Sequence, residues 1–161
     1  MITLRSLSDA DVPEIKNWPP YPPEFSMLDY CHRDGGWLDT HGKDAGNAVF
    51  AATDSSGVVS FSLLLDAGSE SPEFMVALRP DRIGGGLGRK VTVLTLLAGF
   101  SRPEPSRIRL IVRKNNFRAQ ALYGSLGFVR TGELVKEVQG APVEFFTMEI
   151  TRQAFEKEQG A

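Results

Sequence analysis

The clearest pattern of apolar and polar positions lies in the middle of the chain. Strand-compatible apolar residues fill Glu73–Leu78, and Pro80 ends the run, which predicts a β-strand. After a glycine-rich stretch, apolar residues recur at positions 87, 91, 94 and 98, which is the spacing of one helical face. The pattern therefore predicts a strand, a glycine-rich loop and a helix with a buried face.

Shorter patterns on either side predict further strands and helices. Before the central strand they predict a strand at 2–7, a short helix after Ser8, a short helix at 24–30, and a hairpin of 47–53 with 58–65. After the long helix they predict a strand at 107–112, a helix from Asn116, and a hairpin of 128–136 with 143–150 around Gln139 and Gly140. The segment after position 150 is polar apart from Phe155, and we expect it to fray.

The glycine-rich stretch has the composition of an anion-binding loop. Its sequence is Ile83-Gly84-Gly85-Gly86-Leu87-Gly88, followed by Arg89 and Lys90. Glycine lets a ligand approach the backbone with no Cβ in the way, and the N–H groups at the start of the next helix attract anions. A P-loop needs Ser or Thr after Lys90, and the dinucleotide-binding fingerprint needs glycine at position 89, so both are excluded. Either the loop holds a phosphate or pyrophosphate, or it is a turn that binds nothing.

A second motif lies at 116–128, beyond the next predicted strand. Asn116 is a good N-cap and Gly127 a good helix stop, so the residues between them predict one helix. One stripe of that helix carries four residues at helical spacing: Ala119, Leu122, Tyr123 and Leu126. On spacing alone, such a stripe is typical of a helix that faces the core.

Together the two motifs resemble those of the GNAT superfamily of N-acetyltransferases. The ending Gly86-x-Gly88 is similar to the acyl-CoA loop Arg/Gln-x-x-Gly-x-Gly/Ala, except that Ile83 stands where the family has Arg or Gln and Arg82 lies one residue earlier. The second segment is similar to Asn-x-x-Ala-x-x-x-Tyr-x-x-x-Gly-Phe at every named position. The resemblance implies an α/β, GNAT-like fold with a central mixed, mostly antiparallel twisted sheet flanked by helices. We expect residues 1–161 to form a single domain in which 152–161 is a frayed tail.

By this resemblance the protein moves an acetyl group from acetyl-CoA to a primary amine by direct transfer in a ternary complex. The donor would be bound by the strand, the loop and the second motif: Val76, Ala77, Leu78, Ile83, Gly84, Gly85, Gly86, Leu87, Gly88, Arg89, Asn116, Ala119 and Tyr123. Tyr123 would protonate the leaving thiolate, or else it is a core aromatic. Glu73 would act as the base through water, or else it is a surface charge at a strand end. The alternative function is a non-catalytic acyl-CoA-binding module of the same fold.

The net charge of −2 hides an uneven distribution. Between Arg79 and Arg130 the basic residues are opposed only by Asp81 and Glu104, which suits a polyanion such as coenzyme A. The segment 18–44 instead carries acids among aromatic residues: Glu24, Asp29, Asp34, Asp39 and Asp44 with Trp18, Tyr21, Phe25, Tyr30 and Trp37. Because an amine is mostly protonated near neutral pH, these groups favour a cationic acceptor, either a small molecule or a peptide.

The composition indicates the cellular location of the protein and the kind of partner it binds. Cys31 is the only cysteine, so an internal disulfide and a cysteine-rich metal site are excluded; we expect a cytoplasmic protein that uses no metal. The first residues lack the apolar run of a signal peptide and no stretch has the length of a membrane span, so no membrane partner is expected. A pI of about 5.7 and sparse aromatic residues in the basic region disfavour nucleic acid. The expected partner is a small-molecule or peptide amine, and a homodimer is compatible with the sequence.

Overall fold

Seven strands form one mixed sheet in the computed structural model, which describes residues 1–160 and leaves Ala161 outside the described residues. The strands are β1 Thr3–Ser6, β2 Ala48–Asp54, β3 Gly57–Leu65, β4 Glu73–Leu78, β5 Arg107–Arg113, β6 Val129–Val138 and β7 Ala141–Thr151. Their order is β1-β2-β3-β4-β5-β7-β6. Only β4 and β5 run parallel, and the other neighbours are antiparallel. The predicted mixed, mostly antiparallel sheet is confirmed.

Helices cover both faces of this sheet. They are α1 Asp11–Lys16, α2 Trp37–His41, α3 Leu87–Phe100, α4 Phe117–Leu126 and α5 Arg152–Gly160, with a 3₁₀ segment at Pro23–His32. On one face Ile15 of α1 and Leu38 of α2 pack with Phe61 of β3. On the other face Leu96 of α3 and Leu126 of α4 pack with β5 and β7.

The predicted helix α3 forms, but its predicted face is only partly right: Leu87 and Val91 are buried, whereas positions 94 and 98 are half-buried. The buried face continues instead through Thr95 and Gly99, because the Thr95 hydroxyl is hydrogen-bonded to Ser62 and to the Val91 carbonyl and can therefore be buried.

The two predicted hairpins form, and their turns explain the strand ends. β6 and β7 extend to a two-residue turn at Gln139 and Gly140, which both have positive φ, at 52° and 80°. Two positive φ values in succession give a turn whose twist matches that of the strands, so both strands continue up to it. The turn between β2 and β3 also ends on a residue with positive φ, Gly57 with φ 112°.

The C-terminal segment differs from the prediction that it frays. Residues 152–160 form α5 rather than a frayed tail, while Ala161 of that predicted tail lies outside the described residues. Phe155 is buried against Phe100, with ring centroids 5.4 Å apart. Arg152 also donates from Nη2 to the Pro105 carbonyl at 2.6 Å. One large apolar anchor and one arginine therefore hold a segment that is otherwise polar.

Two smaller differences lie before β2. The first helix begins at Asp11 rather than directly after Ser8, whose N–H donates to the Asp11 carboxylate at 2.8 Å. The predicted helix at 24–30 is part of the longer 3₁₀ segment Pro23–His32, which follows a proline-rich stretch. Within residues 1–160, no helix combines the length and the apolar character needed to cross a membrane.

Candidate active site

The site lies where the two parallel strands separate. β4 and β5 pair at one position, Glu73 opposite Arg109, and the Arg109 N–H donates to the Pro72 carbonyl at 2.9 Å. Further towards their carboxyl ends these two strands, both within the described residues, form no other pair. Side chains from both strands line the cleft that opens between them.

Backbone groups of β4 face this cleft. The Arg79 N–H donates to the Val59 carbonyl of β3 at 2.8 Å. Because alternate residues of a strand direct their backbone groups to the same side, Ala77 and Met75 also direct theirs towards β3. The alternate residues, Val76 and Leu78, therefore direct theirs towards the cleft. The Tyr21 hydroxyl donates to the Leu78 carbonyl at 2.6 Å, as this alternation requires. The edge of β4 thus faces the cleft, with the Leu78 carbonyl already accepting one hydrogen bond from Tyr21.

Two compartments make up the cleft, and they meet at Tyr123. The loop compartment, about 380 Å³, is lined by β4, the glycine-rich loop and α4. The Glu73 compartment, about 140 Å³, is lined by β4, β5 and the hairpin of β6 and β7. Six residues line both of them, and Tyr123 is the one among the six with a titratable side chain; the other five are Leu28, Trp37, Val76, Asn116 and Ala119.

Most of the predicted donor-binding residues line the loop compartment. These are Val76, Ala77, Leu78, Ile83, Gly84, Gly86, Gly88, Arg89, Asn116, Ala119 and Tyr123. Gly85 is exposed to solvent, and the Leu87 side chain is buried in the core with Val59 and Val91. Leu87 is therefore a packing residue of the first turn of α3, and only its backbone is available to a ligand.

The glycine-rich loop presents backbone to its compartment. Gly84 and Gly86 have φ of 92° and 84°, values that side chains other than glycine rarely permit, and Gly86 is the N-cap of α3. A Cβ at Gly86 would meet no atom within 4 Å, so the space beside it is open. The first N–H groups of α3 lack partners within the helix and carry its partial positive charge. This geometry fits an anionic ligand.

An arginine from α4 adds positive charge to the loop compartment, which Arg89 in the first turn of α3 also lines. Arg82 forms an ion pair with Asp54 at 2.6 Å and is held there. Arg118 instead lies against the loop, with Nη2 3.1 Å from where a Cβ of Gly84 would be. Neither motif singles out Arg118, and the only sequence indication is the excess of basic residues in this part of the chain. Its position beside the loop follows from the packing of α4.

The second motif forms α4 as predicted. The Asn116 side chain accepts a hydrogen bond from the Ala119 N–H at 3.1 Å, and Gly127 ends the helix with φ 111°. Tyr123 lies against Phe128, with ring centroids 5.5 Å apart, and is 8% exposed. Burial raises the pKa of its hydroxyl to about 12. The tyrosine is both a packed aromatic and a wall of the two compartments.

Glu73 lies on the other side of Tyr123 from the loop. Its side chain is 17% exposed and lines the Glu73 compartment, where Arg109 Nη1 lies 3.0 Å from its Oε1. Glu73 is therefore not a free surface charge at a strand end, because it is held in an ion pair at the wall of the cleft. The sequence does not indicate two further residues of this compartment, Arg113 and Lys136.

The segment 18–44 contributes its aromatic residues to the cleft but not its acids. Tyr21 and Phe25 line the loop compartment, Tyr30 the Glu73 compartment, and Trp37 both, whereas Trp18 is in the core. None of the five acids lines either compartment: Glu24, Asp29, Asp34, Asp39 and Asp44. Three of these acids, Asp29, Asp34 and Asp39, form ion pairs with a base of the segment or of α1. The acids that led us to expect a cationic acceptor therefore lie outside the cleft.

No protein-family model matches the sequence, and no curated protein matches it by sequence. Solved structures of spermidine N-acetyltransferase from Vibrio cholerae are nevertheless similar over nearly the whole chain. A complex with CoA and spermine has a TM-score of 0.73 at 23% identity and covers 96% of this chain and 97% of that one. A chimera of that enzyme and hSSAT has a TM-score of 0.75 at 24% identity and covers 99% of both chains. A dodecameric structure in an intermediate state has a TM-score of 0.72 at 25% identity and covers 96% and 95%. With its splayed parallel strands and both motifs lining the cleft, the chain has the fold of the GNAT N-acetyltransferases.

Proposed function

We propose that the protein is an acetyl-CoA-dependent N-acetyltransferase that moves the acetyl group directly to a primary amine while both substrates are bound. The observation that carries the proposal is the position of Tyr123, which lines both compartments. A thioester in the loop compartment and an amine in the Glu73 compartment would meet beside it. Cys31 is unsuited as a covalent carrier, because burial raises the pKa of its thiol to about 12.

The loop compartment has the groups that coenzyme A requires. The backbone of Val76 and Leu78 faces the cleft, where a pantetheine arm with its amide groups can pair as an added strand would. The loop N–H groups and the start of α3 suit the pyrophosphate. Arg118 is placed to offset its negative charge. The similar enzyme bound to CoA supports the same donor.

Arg118 gives the first test of this donor site. We expect Arg118→Ala to weaken the binding of coenzyme A about 10- to 100-fold, because a hydrogen bond to a charged group contributes about 1.5–3 kcal/mol. Arg82→Ala is the matched control, since Arg82 is bound to Asp54 at 2.6 Å instead. Calorimetric titration with coenzyme A measures both variants. An equal loss in the two would show that Arg118 has no special role.

The chain supplies a group for each proton transfer. When bound, acetyl-CoA supplies the acetyl group as a thioester; the amine nitrogen bonds to its carbonyl carbon as the C–S bond breaks. A cleft-facing N–H of β4 polarises that carbonyl. Glu73 accepts one proton of the ammonium group through water, and Tyr123 donates its own to the thiolate. The second proton lost by the amine returns to Tyr123 through solvent.

Glu73 can be tested by the pH dependence of turnover. We expect Glu73→Gln to lower kcat/KM about tenfold or more near pH 6.5, where little of the amine is free, and less near pH 9. The variant also breaks the ion pair with Arg109, so Arg109→Gln serves as the control that breaks the same pair but keeps the carboxylate. Steady-state rates from pH 6 to 9 measure both. A Glu73→Gln profile parallel to that of the wild type would remove Glu73 from the mechanism.

The function itself is tested by thiol release from acetyl-CoA across a panel of amino acids, polyamines, aminoglycosides and peptide N-termini. We expect thiol to appear together with an equal amount of N-acetylated product. Tight binding of coenzyme A with no release for any amine would instead identify a non-catalytic acyl-CoA-binding module. The panel thus separates the two functions that this fold supports.

A further inference from the structure

The Glu73 compartment carries more positive than negative charge. Arg113, at the end of β5, and Lys136, on β6, both line it. Among residues 1–160 neither has a carboxylate within ion-pairing distance, and Arg113 has only a weak contact from Nη2 to the Met27 carbonyl at 3.5 Å. The single carboxylate lining the compartment in this part of the chain, Glu73, is already matched by Arg109 at 3.0 Å.

Nearby acids on the hairpin face away from the compartment. Side chains alternate along a strand, so Lys136 and Val138 share one face of β6 whereas Glu133 and Glu137 lie on the other. Glu133 accordingly pairs with Lys114 at 2.7 Å, outside the cleft. No acid from this hairpin is therefore in place to neutralise Arg113 or Lys136.

The position and the burial of Arg113 are those of an anion-binding residue. It is half-buried at the compartment wall, where an uncompensated charge is costly. It lines the compartment together with the aromatic residues Tyr30 and Trp37. A guanidinium binds a carboxylate through two parallel hydrogen bonds, and a carboxylate is smaller than a phosphate, which suits a compartment of about 140 Å³.

We infer that the acceptor is an amino acid, whose amine is acetylated and whose carboxylate is bound by Arg113 with help from Lys136. The inference rests on the proposed function. Arg113 lies four residues beyond Arg109 on β5, about 13 Å along the strand at about 3.3 Å per residue, and Glu73 opposite Arg109 lines the same compartment as Arg113. A small zwitterion bound between them would have its carboxylate towards Arg113 and its amine towards Glu73 and Tyr123. Its side chain would lie against apolar residues such as Leu28, Trp37 and Phe145.

The same charges disfavour a polyamine. A polyamine brings two or more positive charges and no negative one, and like charges that meet at an interface are unfavourable. The compartment offers it only Glu73, which Arg109 already neutralises. An amino acid instead brings one carboxylate to Arg113 and Lys136, and its only positive charge is on the amine that reacts.

The test compares acceptors that differ only in the carboxylate. The twenty standard amino acids are each assayed against their amides, with 3-methylbutylamine as the decarboxylated analogue of leucine and spermidine as the polycation. We expect kcat/KM for the best amino acid to exceed that for its amide about 10- to 100-fold. The amide has the more weakly basic amine and more of it is free at neutral pH, so chemistry alone favours the opposite order. Equal or better use of the amide, 3-methylbutylamine or spermidine would overturn the inference while leaving the proposed function intact.

Variants of β5 then assign the effect to Arg113. Arg113→Gln should raise KM for the preferred amino acid about 10- to 100-fold and leave the dissociation constant of coenzyme A unchanged, and Arg113→Lys should recover part of the loss. Arg107→Gln is the matched control on the same strand, because Arg107 pairs with Glu149 at 3.5 Å outside the cleft. If no amine releases thiol, calorimetry of the same amino acids with the coenzyme A complex decides. Binding that Arg113→Gln weakens supports the inference, and no binding, or binding that the variant leaves unchanged, refutes it.

Discussion

Tyr123→Phe is expected to lower kcat/KM about 10²- to 10⁴-fold, the usual contribution of a positioned acid, while coenzyme A binds as tightly as before. The variant removes one oxygen and keeps the ring that packs against Phe74 and Phe128. Because burial raises the pKa of this hydroxyl to about 12, it stays protonated throughout the neutral range and can donate to the thiolate at any pH in that range. The loss should therefore be nearly the same at every pH from 6 to 9.

Three measurements make this test specific. Stopped-time assays of product give the rate, calorimetry with coenzyme A gives donor affinity, and thermal unfolding reports whether the core around Tyr123 is intact. A uniform loss of rate with unchanged affinity and midpoint identifies the hydroxyl as the proton donor. A variant that keeps the wild-type rate would show that Tyr123 is only a packing residue. The position of Tyr123 would then no longer support the proposed function.

Local patterns predicted those features of the fold that depend on local physics. The caps of α4 follow from the hydrogen-bonding capacity of Asn116 and the freedom of Gly127, both of which act within a few residues. The loop of positive-φ glycines, including Gly84 and Gly86, is likewise a property of the residues that compose it. The order of strands and helices also followed, because apolar spacing changes between the two kinds of element.

Features that depend on tertiary packing did not follow from local patterns. Arg82 is next to the family's loop cation in sequence, yet it pairs with Asp54, while Arg118 from another element lies against the loop. The segment 18–44 suggested a cationic acceptor because its acids and aromatics are neighbours in sequence. In the structure the aromatics of this segment line the cleft and its acids do not, and the cations that line the Glu73 compartment, Arg113 and Lys136, come from β5 and β6. The order of charged residues along the sequence does not show which of them line the same cavity in the fold.

Gly86→Val is expected to abolish measurable binding of coenzyme A. Gly86 has φ 84°, and a β-branched residue there costs about 1–3 kcal/mol of backbone strain. The new side chain would also stand in the open space beside the loop, where no atom lies within 4 Å of a Cβ, and so occupy the room needed by the pyrophosphate. Strain acts on the stability of the fold, whereas the blocked space acts on binding alone.

Gly140→Val separates these two effects. Gly140 has nearly the same φ, 80°, and a Cβ there also meets no atom within 4 Å, but it lies in the hairpin turn and lines neither compartment. We therefore expect both variants to lower the midpoint of thermal unfolding, and only Gly86→Val to lose the heat of coenzyme A binding in calorimetry. If Gly86→Val bound coenzyme A as tightly as Gly140→Val, the pyrophosphate could not lie beside this glycine, and the donor site would have to be sought elsewhere in the cleft.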